Sequence, residues 1–346
     1  MTTKAYAATS PTSGLAPWTF ERRPMGPKDI AMAVAYCGIC HSDIHQVRDE
    51  WHNATYPMVP GHEIVGRVTA VGAEVTKFQV GDIAGVGCLV DSCRTCHPCA
   101  KHLEQFCEKG PSWSYNSTEQ DKRTPTQGGY SSDYVVTEDF ALRISPKLDL
   151  AAAAPLLCAG ITTYSPLRHW KVGPGSKVGV VGLGGLGHMA VKLAAAMGAE
   201  VTMLSTSPSK EADARKLGAA AFANTKDPGT FRRLAGRFDF ILDTISAPHD
   251  YNAYLGMLRV DGAMVLVGVP PEPTPVAAFP LITGRRTLAG SLIGGLKETQ
   301  EMLDFCAEHG IVSEVEVIPV QQVNEAYERM MRNDVRYRFV LDLSTL

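Results

Sequence analysis

Four cysteines fall in one short stretch of this sequence: Cys93, Cys96, Cys99 and Cys107. Thiolates at that spacing can close a tetrahedral shell around a single divalent ion. Four sulfurs leave no position for water or substrate, so the chemistry expected there is a structural zinc site. Cys88, upstream in the apolar run Val86-Gly87-Cys88-Leu89-Val90, reads as a buried thiol outside that set. A second group is dispersed: Cys40 in Cys37-Gly38-Ile39-Cys40-His41-Ser42-Asp43, His62 in Pro60-Gly61-His62-Glu63, and Cys158 in Leu157-Cys158-Ala159-Gly160. Two thiolates, an imidazole and an open fourth place would make a catalytic zinc site. Spacing alone does not join these three, and each read singly is equally a core thiol or a satisfied histidine.

The third motif is Gly182-Leu183-Gly184-Gly185-Leu186-Gly187, between a short apolar run, Lys177-Val178-Gly179-Val180-Val181, and a helix-forming stretch. In that context Gly182 allows a tight turn, Gly184 lets the backbone approach a pyrophosphate, and Gly187 allows close helix–strand packing. The unpaired N–H groups of the helix start, at Gly185 and Leu186, would face the phosphates. A dinucleotide with a free ribose 2′-hydroxyl asks for an acid about 20 residues further on. Here the second strand ends in Ser205-Thr206-Ser207-Pro208-Ser209-Lys210, with no acid before Glu211. Three hydroxyls (Ser205, Thr206, Ser207) and the Lys210 ammonium suit a 2′-phosphate, so NADP(H) is expected. An ordinary helix cap led by Ser207 or Ser209 is the competing reading.

These motifs need scaffolds, and the two halves of the chain differ in texture. Up to about residue 150 the sequence is rich in Gly, Pro and short alternating runs such as Ile64–Val71 and Val80–Val86, which predict a curved, mostly antiparallel β domain. Residues 109–129 read as a long loop. From Leu150 an Ala-rich helix leads into strand–helix alternation: strands 177–181, 201–204, 239–243 and 263–267, helices 186–197, 209–217 and 249–258. That alternation predicts a parallel, doubly wound sheet. Helices at 297–308 and 323–331 and a strand at 338–341 close the chain. With 346 residues, two domains are expected.

The motifs together, Gly-Ile-Cys-His-Ser-Asp at 38–43, Gly-His-Glu at 61–63, the four-cysteine lobe, Cys158-Ala159-Gly160-Ile161-Thr162-Thr163-Tyr164 and the glycine turn, resemble the zinc-dependent medium-chain alcohol dehydrogenases. The resemblance covers essentially the whole chain and is nearest to the cinnamyl alcohol dehydrogenase branch with its broad-specificity, NADPH-dependent aldehyde reductases. It implies an α/β architecture: a GroES-like, mostly β catalytic domain over 1–155 with the zinc lobe, a Rossmann NADP-binding domain over 156–292, and a C-terminal return to the catalytic domain over 293–346. It implies two Zn2+ per chain. Cys40, His62 and Cys158 would hold the catalytic one, and Glu63 would be an alternative ligand. Asp43 would orient the zinc histidine, Ser42 would meet the substrate oxygen, and His45 would pass the proton to solvent. His41 would contact the pyrophosphate and Thr162 the nicotinamide, while Trp51 and Trp113 would wall the substrate pocket.

The implied activity is NADP(H)-dependent interconversion of primary aliphatic or aromatic aldehydes and alcohols. A polyol or specialised-metabolite dehydrogenase with the same zinc chemistry is the alternative, and a non-catalytic NADPH-binding zinc protein a remote one. Small-molecule substrates and a homodimer through the cofactor domain, edged near Thr287–Leu292, are expected. Lys and Arg number 33 against 36 Asp and Glu, a net −3 that argues against a nucleic-acid partner. No apolar run reaches the roughly 18–20 residues of a membrane span, and neither end shows a leader or address, so the expected place is the cytoplasm.

Overall fold

Short strands punctuated by glycine and proline build one unit, and strand–helix repeats build the other. A computed structural model describes residues 2–346. One unit runs to Cys158 and resumes from Gly294 to Leu346, and the second is Ala159–Ile293.

The first unit is organised on a seven-stranded sheet. Its central strand, Asp29–Gly38, pairs antiparallel with Ile64–Val71, with Asp133–Thr137 and with Arg338–Asp342. Ile64–Val71 continues antiparallel into Ile83–Val86 and then Leu142–Arg143. The last strand, Val315–Pro319, runs parallel to Arg338–Asp342. Two register shifts along Asp29–Gly38 curve this sheet. The end of Asp29–Gly38 and the start of Ile64–Val71 pair at Cys37 and Ile64, which sets the segments carrying Cys40 and His62 side by side. In the long loop at 109–129, Ser112–Trp113 pairs with Leu89–Asp91 outside it, and Ser117–Thr118 pairs with Pro125–Thr126 within it.

The second unit is a six-stranded sheet in which every neighbouring pair is parallel. In space the strands run Ala221–Asn224, Glu200–Ser205, Lys177–Val181, Phe238–Asp243, Leu258–Leu266, Thr287–Gly290. The order reverses between Lys177–Val181 and Phe238–Asp243, and at such a switch point the carboxyl ends of parallel strands leave a crevice for a ligand. Val181, Leu204, Phe238, Ile241 and Met264 meet helix residues Tyr251, Tyr254 and Leu255 in the core.

Two helices differ from expectation. The one predicted over 209–217 starts as a 3-10 turn, Pro208–Lys210, and is α-helical only over Glu211–Lys216. That predicted over 249–258 shrinks to Tyr251–Leu255, because the His249 ring bonds back to Asp243 and holds residues 244–249 as a loop. Among the described residues no single helix is long and apolar enough to cross a membrane.

Candidate metal and dinucleotide sites

The four-cysteine lobe comes together as its spacing suggests. Sγ–Sγ distances are 3.4 Å for Cys96–Cys99 and 4.0 Å for both Cys93–Cys99 and Cys96–Cys107. Sulfurs about 2.3 Å from a tetrahedral centre lie about 3.8 Å apart, so the set fits zinc. The backbone supports it: Cys93 N–H donates to Cys107 Sγ and Cys96 N–H to Cys93 Sγ, each at 3.4 Å.

The dispersed set also converges. One ligand atom from each of Cys40, His62, Glu63 and Cys158 lies within 4.8 Å of the others. Cys40 is the N-cap of helix His41–Val47, where its backbone N–H donates to Asp43 Oδ2 at 2.9 Å. Cys158 closes the 3-10 turn Ala154–Leu157. The fully buried Asp43 carboxylate accepts from the His62 ring Nδ1 at 3.1 Å and from Gly61 N–H at 3.2 Å. That leaves His62 Nε2 as the nitrogen open to a metal. Burial opposes a charge on His62, but Asp43 overrides it and the imidazole sits well above its ordinary pKa.

The electrostatics of this cluster ask for a cation. The Cys40 thiol is held well below its usual range, chiefly because Cys158 donates to it, and Cys158 is pushed up by donating to Cys40 and Cys88. Glu63 is wholly buried, and burial pushes its carboxyl up to about 7 against the pull of Arg338. Its Oε1 is bound by the buried Arg338, while its Oε2 has no hydrogen-bond partner. An orphaned buried carboxylate oxygen beside two thiols and an imidazole is a donor set that fits zinc.

Other residues singled out by the sequence fall around this cluster. Ser42 Oγ lies 3.7 Å from Cys40 Sγ. His45, one turn further on the same helix, has Nδ1 bonded to Glu50 at 2.5 Å, and its ring is 5.5 Å from that of Trp51 and 6.3 Å from that of His41. Trp51 is 44% exposed, whereas Trp113 is partly buried on its short strand. Sequence reasoning missed Arg338, Glu50, Tyr115 and Tyr130. Cys88, expected to be a buried free thiol, is only partly buried and hydrogen-bonds Cys158. Its position on an apolar run gave no signal of that contact.

In the second unit Thr162 is buried in helix Ala159–His169. The glycine turn joins strand Lys177–Val181 to helix Gly185–Ala196, whose N-cap is Gly184. Gly182 has φ +90°, a conformation that favours glycine. A Cβ on Gly187 would lie 1.9 Å from Gly182 O, so the helix can approach the strand only with glycine there. At Gly184 a Cβ would meet nothing within 4 Å, leaving the backbone open to a ligand. Lys210 Nζ donates to Leu183 O at 2.8 Å, and so the ammonium lies against the turn, with burial lowering its pKa. Ser205 is buried at the end of its strand, with Thr206 exposed and Ser207 between. The first acid, Glu211, is directed along its own helix to Arg215 at 2.8 Å. Asp243, at the carboxyl end of the strand across the switch point, pairs with His249 at 2.8 Å, and neither was singled out from sequence.

Two family models match: the alcohol dehydrogenase GroES-like domain over residues 26–146 and the zinc-binding dehydrogenase over residues 185–308. The chain is 59% identical over 346 residues to NADP-dependent alcohol dehydrogenase C 1 of Mycolicibacterium smegmatis, covering 100% of this chain and 99% of the relative. It is 54% identical over 349 residues to the aldehyde reductase YahK of Escherichia coli, again with 100% and 99% covered. Among solved structures it matches a cinnamyl alcohol dehydrogenase of Sorghum bicolor with a TM-score of 0.96 at 45% identity, over 99% of this chain and 98% of that one.

Proposed function

Since the chain belongs to the zinc-dependent medium-chain alcohol dehydrogenases, we propose that it interconverts primary aliphatic or aromatic, cinnamyl-type aldehydes and their alcohols with NADP(H). The observation that carries this is the convergence of Cys40, His62, Glu63 and Cys158 around one point, with Glu63 Oε2 unpaired. When bound, zinc supplies a Lewis acid for the carbonyl oxygen and NADPH supplies the hydride.

The chain's own residues divide the remaining tasks. Cys40, His62 and Cys158 would hold the catalytic metal, with Glu63 as an alternative ligand, and Cys93, Cys96, Cys99 and Cys107 would hold the structural one. Asp43 fixes the tautomer and orientation of His62. Ser42 and His45, three apart on one helix, share a face, so a proton can pass from the substrate oxygen through the Ser42 hydroxyl to His45. With Nδ1 tied to Glu50, His45 has Nε2 left for that exchange. Trp113 and Trp51 supply apolar walls, and His41 and Thr162 meet the dinucleotide. Gly182, Gly184, Gly185, Leu186 and Gly187 cradle its pyrophosphate through backbone N–H groups. Ser205, Thr206, Ser207 and Lys210 hold the 2′-phosphate, which the absence of an acid before Glu211 favours.

The chain acts as a homodimer through the unpaired edge of Thr287–Gly290, which is the last strand of its sheet and has the exposed apolar side chains Phe279, Ile282 and Leu292 on nearby segments of the chain. Nine cysteines without a disulfide suit the cytoplasm. The test is NADPH oxidation across benzaldehyde, cinnamaldehyde, short aliphatic aldehydes and keto sugars, with zinc measured on the same sample. Turnover of the aldehydes at two zinc ions per chain is expected. Turnover confined to sugars would replace the substrate assignment with the polyol one, and an absence of zinc would overturn the metal assignment.

A further inference from the structure

The buried Asp43 carboxylate is surrounded by tyrosines that no motif announces. Tyr130, with no exposed surface, donates its hydroxyl to Asp43 Oδ2 at 3.3 Å. Tyr327, also buried, donates to the Tyr130 hydroxyl at 3.5 Å. Tyr115 lies offset and nearly parallel to the His62 imidazole, ring centroids 5.8 Å apart and planes 20° apart, and its hydroxyl faces Asp43. Tyr115 and Tyr130 come from neighbouring parts of the chain and Tyr327 from near its end; the first two meet the His62–Asp43 pair and the third backs Tyr130.

A histidine on a metal loses affinity when its ring can rotate, since the nitrogen lone pair must point at the ion. Asp43 restrains the ring at Nδ1 only, and that hydrogen bond with the Cβ–Cγ bond still lets the ring tilt. The Tyr115 ring alongside limits that tilt. Tyr130 in turn fixes Oδ2, so that Oδ1 remains aimed at His62.

We propose that Tyr115 and Tyr130 are positioning residues for the metal-binding imidazole, Tyr115 by clamping the ring face and Tyr130 by holding the Asp43 carboxylate, and that they set how firmly the catalytic metal is retained. The inference rests on the reading of Cys40, His62 and Cys158 as zinc ligands. Both act through His62 and Asp43, so the signature is metal retention and not the chemical step.

The test uses the purified, zinc-loaded full chain. A chelator in excess is added and zinc release is followed with a colorimetric indicator, the Cys40→Ser variant identifying which phase belongs to the dispersed site. Tyr130→Phe and Tyr115→Leu are expected to speed that phase about tenfold, the lower end of the usual effect of removing such a partner. Release from the four-cysteine lobe should not change. Tyr115→Phe keeps the stack and should retain zinc within about twofold of wild type. Unchanged release in both Tyr130→Phe and Tyr115→Leu overturns the proposal, as does equal acceleration of both phases, which would indicate general loosening. A wild-type chain that binds only the lobe zinc overturns the metal reading itself, and the inference with it.

Discussion

The two units present chemistry by opposite means. The first gathers side chains: Cys40, the neighbouring pair His62 and Glu63, and Cys158 sit on three separate segments and meet only because the sheet and its connections bring them to one point. The second presents backbone, a contiguous turn from Gly182 to Gly187 whose useful property is the lack of side chains. The difference teaches where each unit is vulnerable. Loss of one side chain should empty the first site, whereas addition of one side chain should close the second.

The largest effect is expected where the gathered side chains are broken. His62→Ala removes the imidazole and leaves Asp43, Tyr130 and Glu63 buried around a void. Activity with cinnamaldehyde should fall by at least about 1,000-fold, the several kcal/mol that a Lewis acid supplies to such a reaction. Zinc content should drop from two to one per chain while NADPH still binds. Residual activity within tenfold of wild type would mean that the gathered residues are not the catalytic site.

Addition of a single methyl group tests the backbone side of the comparison at two positions. Gly187→Ala places a Cβ 1.9 Å from a backbone oxygen that cannot give way, so strand and helix must separate. A loss of about 1–3 kcal/mol is expected, as for overpacked cores, and is read as a lower melting temperature with or without ligand. Gly184→Ala meets nothing, so the melting temperature of the free protein should hold, and NADPH affinity alone should fall. If Gly184→Ala binds NADPH as wild type does, the turn does not contact the pyrophosphate.

The same division explains what the sequence disclosed. The glycine turn and the four-cysteine lobe are local, and their spacing carries the geometry. The dispersed ligands were joined only through a family resemblance, since nothing in Cys40, His62 and Cys158 taken singly separates a ligand from a core residue. Arg338, Tyr115 and Tyr130 left no trace, because each reaches its partner through tertiary packing: Arg338 meets Glu63 from a strand near the C-terminus. His249 was read as a helix residue because its neighbours have helical character, and the ring's bond to Asp243 overrode that local preference.

A smaller effect sharpens the cofactor assignment within the backbone unit. Lys210 is the one cation at the end of strand Glu200–Ser205, and its bond to Leu183 O ties it to the turn. A charge-assisted hydrogen bond is worth about 1.5–3 kcal/mol, so Lys210→Ala should raise the NADPH Kd roughly 10- to 150-fold. NADH, without the 2′-phosphate, should bind about as before. Equal weakening of both would assign Lys210 to the turn's structure alone.

The smallest expected effect concerns a side-chain contact within the backbone unit. His249 Nδ1 contacts Ala247 O at 2.8 Å and Nε2 contacts Asp243 Oδ2 at 2.8 Å. Both partners are acceptors, so the two contacts are both made only when both ring nitrogens carry protons. Facing it are Asp243, Asp250 and the rings of Tyr251 and Tyr254. Burial disfavours the charge most strongly, yet the bonds to Asp243 and to Ala247 O and the charges of Asp243 and Asp250 together outweigh it, and the folded pKa lies above the ordinary value of about 6.5. A raised folded pKa means stability that is complete below about pH 6.5 and lost as pH rises through the folded value. Wild type should therefore lose about 1 kcal/mol across that interval, a drop in melting temperature of about 2–4 °C. His249→Gln, which can donate to Asp243 but cannot titrate, should lack that step and melt at a temperature independent of pH there. A step of equal size in His249→Gln would place the titration elsewhere, and the second unit would then be held by its sheet and turn alone.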